Sequence, residues 1–418
     1  MTANLDSRVT SVSDNGTTAV GSADEGRVRC ETHLLSPNLA AIFSVFPDAD
    51  TVTMHYASRF GYGDDASDLV GSAHVLEHLV AFGGPELREC SASRCGAVAT
   101  GATYRDLTVF KMWAPQSTFL TALWTDLPFL VKPRFDDFTL DVSLRQCQME
   151  AAYYRDRGFD RSMLSVRANS PDAGLRGQSD GFGDPTVLAE HSVDDWRALY
   201  ASASASTTSV CSVSGSFDPD EVRRIMIACM KGADGVRNRC RMAPTSLESR
   251  SGGSRQDIRP DDPFVALPVH SDFFFQDYEI LAGVINAWSS ENLSGALTAR
   301  IGLRGESIDH AFPADFTISS ASPASPASLI SKARAALSAV SDGNLADVCV
   351  EVRRRRQLFW RVKDSDAHEL GALLARSMAA HGAPMTGGYL STIVATISPS
   401  DIALLALRLD LDAAAVYT

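Results

Sequence analysis

The sequence predicts an α+β protein built from two related domains, and three observations carry this reading. The chain has 418 residues, well beyond the ~100–200 residues of an ordinary domain. A polar stretch at 233–262, rich in Gly and Ser and without periodicity, divides it. On either side the same order of elements recurs, strands, helices, more strand and helices again, with no repeat at the level of residues.

The elements follow in order. Residues 1–32 read as a flexible polar tail. The first domain, 33–232, opens with two β-prone runs at 39–47 and 51–60. The loop GYGDDASD leads into a helix from Val70 to Phe82. Residues 96–113 read as a hairpin with apolar arms around Tyr104, Arg105 and Asp106. Helices at 116–130 and 136–156 come next, then a helix near 185–201, the strand SVCSVSGSF and the helix DPDEVRRIMIACMKG. Asp218 is its N-cap, and Pro219 sits where a first turn tolerates it. The second domain, 263–418, runs through the strand FVALPVH, helices over 276–303, strands near 308–319 and helices to about 408. Its four consecutive arginines, Arg353 to Arg356, read as a solvated helix face, with docking of a substrate or partner as the lesser alternative.

Composition narrows the function. A net charge of −13 argues against nucleic-acid binding by broad phosphate neutralisation. A hydrophobic fraction of 45% is that of a globular chain. No segment approaches the ~18 uninterrupted apolar residues of a membrane span. The 8 cysteines are scattered without CxxC pairs, which points to reduced thiols in an intracellular compartment. The first thirty residues lack an apolar core and carry Asp6, Asp14, Asp24 and Glu25, unlike secretory or transit peptides. Cytoplasm is the expected compartment, with the mitochondrion as the alternative.

The segment GSAHVLEHLVAFGG (71–84) carries the chemistry. On a helix, His74 and His78 lie one turn apart on one face, a spacing suited to two imidazoles on one metal ion. Glu77 shares that face and can take a proton from a metal-activated water. The pattern HxxEH arises by chance only about 0.01 times in such a chain. An ordinary amphipathic helix with hydrogen-bonded histidines is the competing explanation.

This segment resembles the zinc motif of the pitrilysin/insulinase family of metallopeptidases, in particular its presequence-protease-like branch. The resemblance extends over residues 35–410. It implies an α/β sandwich in each domain, a mostly antiparallel sheet covered by helices, the two domains forming half of a clamshell chamber. It implies zinc held by His74, His78 and a glutamate on a later helix, which LRQCQMEAAYY (144–154) offers as Glu150; Asp141 and Asp156 are weaker candidates. The segment TGATYRDLTVF matches the family's substrate-pairing hairpin at Ala102, Thr103, Asp106 and Thr108. Gly101 stands where the family has asparagine, and Phe110 where it has tyrosine. LTARIGLRGESIDHAF (297–312) is similar to an element whose arginine and tyrosine bind substrate and stabilise the oxyanion. Arg304 fits there, and His310 occupies the tyrosine position. Ser143 lies near where the family often has a supporting glutamate.

The resemblance thus implies a zinc endopeptidase acting on peptides or unfolded presequence-like segments, as a homodimer or as a heterodimer with a paralogue. Two rivals share the fold: a non-catalytic core subunit of a respiratory or processing complex, which the departures at Gly101, Ser143 and His310 favour, and a peptide-binding module that holds zinc without turnover.

Overall fold

Branched and aromatic residues at 39–58 form the centre of the larger sheet. The computed structural model describes residues 17–20, 28–66, 68–82, 92–104, 107–156, 181–206, 209–230, 264–267, 273, 275–293, 297–301, 316–320, 325–409, 411–412 and 414–417. Strands β1 (Thr17–Val20), β2 (Arg29–Ser36), β3 (Leu39–Val45), β4 (Thr51–Ser58), β5 (Val98–Thr103), β6 (Thr108–Pro115) and β7 (Ser209–Gly215) make a seven-stranded sheet in the order β1-β2-β3-β7-β4-β6-β5. β3 and β7 run parallel, from Leu39↔Ser209 to Val45↔Gly215; the remaining pairs are antiparallel. β3, β4 and β7 are buried along almost their whole length, the signature of strands covered on both faces. That explains why they read as continuous apolar runs rather than as alternating ones.

One face carries helices α1 (Ser72–Phe82), α2 (Phe119–Val131), α3 (Asp137–Asp156), α4 (Val193–Ser206) and α5 (Pro219–Met230). Phe43, Met54, Leu79, Met112, Leu123 and Trp196 lie in the core they enclose. As expected, Asp218 caps α5, accepting from the backbone N–H groups of Asp220 and Glu221.

A second sheet has the order β11-β8-β10-β9, from β8 (Phe264–Leu267), β9 (Leu297–Ile301), β10 (Phe316–Ser320) and β11 (Ala415–Tyr417), all antiparallel. Helices α6 (Phe275–Asn292), α7 (Pro326–Ser341), α8 (Ala346–Lys363), α9 (Ala367–His381), α10 (Gly387–Thr396) and α11 (Pro399–Arg408) complete the second half. Its core holds Tyr278, Ile280, Phe316, Ile318 and Leu405 among others. The α+β class expected from the sequence is the class observed.

Four details differ from the sequence reading. Thr17–Val20, placed in the polar tail by composition, pairs with Cys30–His33 as an edge strand; four residues carry too little apolar signal to be seen alone. Of the helices expected over 276–303, the structure has one, ending at Asn292, and Leu297–Ile301 is a strand. The helix expected near 185–201 is a single turn, Pro185–Leu188, followed by α4. The arginine run is only partly a solvated face: Arg353 donates to the Ile397 carbonyl at 2.7 Å, and Arg356 lies 3.5 Å from the buried carboxylate of Glu279.

Helix α9 leaves the second half and packs on β4, β7 and β3, on the face opposite α1. Leu370, Leu374, Ala375 and Ala379 join Ile42, Ala57, Val109 and Val210 in one apolar cluster. Polar groups are caught beneath it. The His55 ring lies 4.8 Å from that of His368, and burial, then the charges of His368, Lys111 and Arg376, hold the His55 imidazole far below its ordinary pKa. No single helix among the described residues is long and apolar enough to cross a membrane.

The start of α1 is fixed by one carboxylate. Asp65 accepts from Gly71 N (2.7 Å), Ser72 Oγ (2.7 Å) and Ala73 N (2.8 Å), satisfying donors that a helix N-terminus leaves unpaired. Burial raises its carboxyl to about 6 against the pull of these hydrogen bonds, so at pH 7.5 it is mostly ionised. Asp65→Ala is expected to cost about 1–3 kcal/mol and to lower the thermal midpoint measured at pH 7.5; an unchanged midpoint would refute the capping role.

Candidate metal centre

Helices α1 and α3 pack face to face. The inner face of α1 presents Val75, Leu76, Leu79 and Val80 to the core, which turns His74 and His78 toward α3. Their Nε2 atoms approach to 3.2 Å with the rings nearly perpendicular. Glu150 closes the triangle from α3: Oε2 is 3.4 Å from His74 Nε2 and Oε1 is 3.5 Å from His78 Nε2. Ligands bound tetrahedrally at about 2.0–2.1 Å lie about 3.3–3.4 Å apart, so the three side chains already have the spacing of ligands on one small ion. The histidines are 8% and 6% exposed, whereas the Glu150 side chain is 45% exposed; the site opens to solvent along α3. Asp141, one of the two weaker candidates on this helix, pairs with Arg145 instead.

Glu77 sits beside the triangle rather than in it. Its Oε2 is 4.0 Å from His74 Nε2, and the residue is 8% exposed. The other oxygen lies against β5: a Cβ on Gly101 would come within 2.0 Å of Glu77 Oε1. Glycine at 101 therefore leaves the space that this carboxylate fills, a physical reason for the departure from asparagine noted in the sequence. Gly101, Ala102 and Thr103 lie on β5, which among the described residues pairs only with β6 and forms the sheet's edge. Arg304 and His310 lie outside the described residues. Ser143 is fully buried on α3, its Oγ without a hydrogen-bond partner.

Sequence reading missed two neighbours. Cys147, buried on α3 one turn before Glu150, forms a three-membered cluster with His74 and His78, their ligand atoms all within 4.8 Å of one another. The i,i+3 spacing of Cys147 and Glu150 was the available signal; a search for CxxC pairs passes over it. Phe182 packs edge-on against His74 at 5.2 Å and stacks on Tyr154 at 5.6 Å. The strand of chain bearing it lies so close to α1 that a Cβ on Gly183 (φ +65°) would come within 1.8 Å of the Val70 carbonyl oxygen. No sequence signal links Phe182 to the motif, because that contact is purely tertiary.

The charges are coupled. Burial disfavours a charged His74, but hydrogen bonds to Cys147 and Glu150 and the charge of Glu77 outweigh it and lift its pKa above the ordinary imidazole range. Burial and the neighbouring His74 charge push His78 the other way. Glu150 is held below the usual carboxylate range, first by its hydrogen bond with His74. Burial pushes the Cys147 thiol up, opposed by His74.

No family model and no curated protein matches the sequence. Solved structures do match. A protease from Helicobacter pylori is similar with a TM-score of 0.70 at 12% identity, over 93% of this chain and 98% of that one. A putative M16-like peptidase from Alicyclobacillus acidocaldarius gives 0.70 at 14% identity, over 93% and 97%. An inactive M16 peptidase domain from Pseudomonas fluorescens gives 0.67 at 13%, over 93% and 96%. The fold is that of the M16 peptidases. Because the M16 fold here is matched by both a protease and an inactive domain, the fold alone does not assign activity; the side chains must.

A divalent ion bound by His74 must displace the proton that its raised pKa favours, since metal ligands bind deprotonated. The raised pKa of His74 sets the sign: below it, affinity rises with pH, by about tenfold per unit for each proton displaced. Calorimetry at neutral pH in buffers of different ionisation enthalpy is expected to show at least one proton released per zinc; release of none would contradict the geometry.

Proposed function

We propose that the chain is a zinc-dependent endopeptidase that cleaves peptides or unfolded, presequence-like segments. The observation that carries this reading is the triangle of His74, His78 and Glu150, with an ionisable glutamate beside it. The donor set, two imidazoles and one carboxylate with spacings of 3.2–3.5 Å, fits zinc and leaves a further position for water or substrate. Zinc, when bound, supplies the Lewis acidity that makes water a nucleophile near neutral pH.

The chain's own groups do the rest. Glu77, 4.0 Å from His74 Nε2, takes a proton from the attacking water and delivers it to the leaving amine. Its low exposure keeps bulk water from competing for that proton. The free edge of β5 at Gly101, Ala102 and Thr103 accepts the peptide backbone as an added strand, which requires only backbone groups. Met149 and Tyr153, flanking Glu150 and 72% and 54% exposed, offer apolar surface to a substrate or to a second unit. Arg304 and His310 are assigned to oxyanion stabilisation, across a chamber formed by two copies of this chain or by the chain and a paralogue. The free cysteines Cys30, Cys95, Cys147, Cys211, Cys229 and Cys349 suit a reducing compartment, and cytoplasm is the proposed location.

The second reading is a non-catalytic subunit with this fold. It draws on the buried, unpartnered Ser143 hydroxyl and on the inactive Pseudomonas fluorescens domain among the structural matches.

The test compares wild type, Glu77→Gln and Glu150→Gln for zinc content and cleavage of a quenched fluorescent peptide. Glu77→Gln is expected to keep its zinc and lose about 10²–10⁴ in turnover. Glu150→Gln is expected to lose zinc affinity by more than the ~10–100-fold typical of outer partners of a metal site. Chelation should abolish cleavage and zinc should restore it. Wild type that neither binds zinc nor cleaves would assign the chain to the second reading, and wild type that binds one zinc and cleaves nothing would assign it to a peptide-binding module that holds zinc without turnover.

A further inference from the structure

We propose that Cys147 is a fourth metal ligand of this centre, so that the resting site is a His74–His78–Cys147–Glu150 set rather than a three-residue one. The proposal rests on the zinc reading above and extends it to a residue that reading does not need. The placement is specific. Cys147 and Glu150 are three residues apart on α3 and face the same direction as His74 and His78 do from α1. The thiol sulfur lies within 4.8 Å of the histidine ligand atoms.

A cysteine in a buried apolar setting is ordinarily inert packing, and Cys211, a fully buried thiol of this sheet, is of that kind, lying in the same apolar core as Phe43, Met54 and Val213. Cys147 differs in sharing its pocket with two imidazoles. Zinc–sulfur bonds are about 2.3 Å, so small side-chain rotations bring Sγ onto an ion already held by the histidines. One thiolate and one carboxylate would neutralise a divalent ion in a site whose histidines are buried. A thiolate also biases the site toward thiophilic ions such as zinc, cobalt and cadmium over manganese and magnesium. Substrate must displace this ligand or expand the coordination shell, which makes Cys147 a brake on the open position.

The test uses the full-length chain, freed of metal and titrated with cobalt(II). Wild type is expected to develop a sulfur-to-cobalt charge-transfer absorption in the near ultraviolet that saturates at one equivalent. Cys147→Ser should still bind one equivalent and lose that absorption. One equivalent bound by wild type without the band would overturn the proposal and leave the zinc reading intact. No cobalt or zinc uptake at all would overturn both. A band that survives in Cys147→Ser would assign it to another thiol and overturn the proposal as well. Should the variant fail to fold, alkylation of wild type with and without zinc, mapped by mass spectrometry, decides the matter: protection of Cys147 by zinc supports it, and equal labelling overturns it.

Discussion

The packing of α1 against α3 is the constraint from which the rest of the site follows. Burying a polar group costs free energy unless a partner meets it, and α1 buries three within five residues: His74, Glu77 and His78. On its other side, Val75, Leu79 and Val80 are locked into the apolar core, so the helix cannot rotate to return the imidazoles to water. The polar face must therefore be met in place, and α3 meets the two imidazole Nε2 atoms with Glu150 and sets Cys147 beside them. The same two helices that close the core also bring Glu150 and Cys147 to the two imidazoles. Preorganisation of this kind lets a site bind an ion without first ordering its side chains.

The edge strand extends the same logic toward substrate. β5 sits directly beside α1, and the carboxylate of Glu77 occupies the space that any side chain at 101 would claim. Glycine there brings the proposed general base to the sheet's exposed edge, where an added peptide strand would place its backbone. A departure that looks like erosion in the sequence is, in the folded chain, a fitted contact. Ser143 has no comparable compensation; nothing in the structure explains a buried hydroxyl without a partner at that point.

The opposite face of the sheet ties the two halves together. Helix α9 belongs to the second half by sequence yet covers β3, β4 and β7 of the first. Gly371 is what permits the close approach, since a Cβ there would come within 2.8 Å of Ser214 Oγ and 3.2 Å of His55 Nδ1. Burial beneath this cover disfavours a charged His55 imidazole. The sheet that backs the candidate metal centre is thus completed by residues far away in the chain, and the first half, taken alone, would expose the apolar cluster of Ile42, Ala57, Val109 and Val210.

The sequence alone determined the α+β class, the positions of β3 to β7 and the helix bearing His74, Glu77 and His78, because these depend on local periodicity and on a motif written within one helical turn or two. It also singled out Glu150, through resemblance. What it could not supply were contacts between segments distant in the chain. The approach of Cys147 to two histidines some seventy positions earlier, the seating of Phe182 on His74, the match between Gly101 and Glu77, and the crossing of α9 to the first sheet were all decided by tertiary packing. Short elements such as β1 and β9 escaped for a related reason: four or five residues carry little periodic signal, and their strand conformation comes from the backbone partners that only the fold provides.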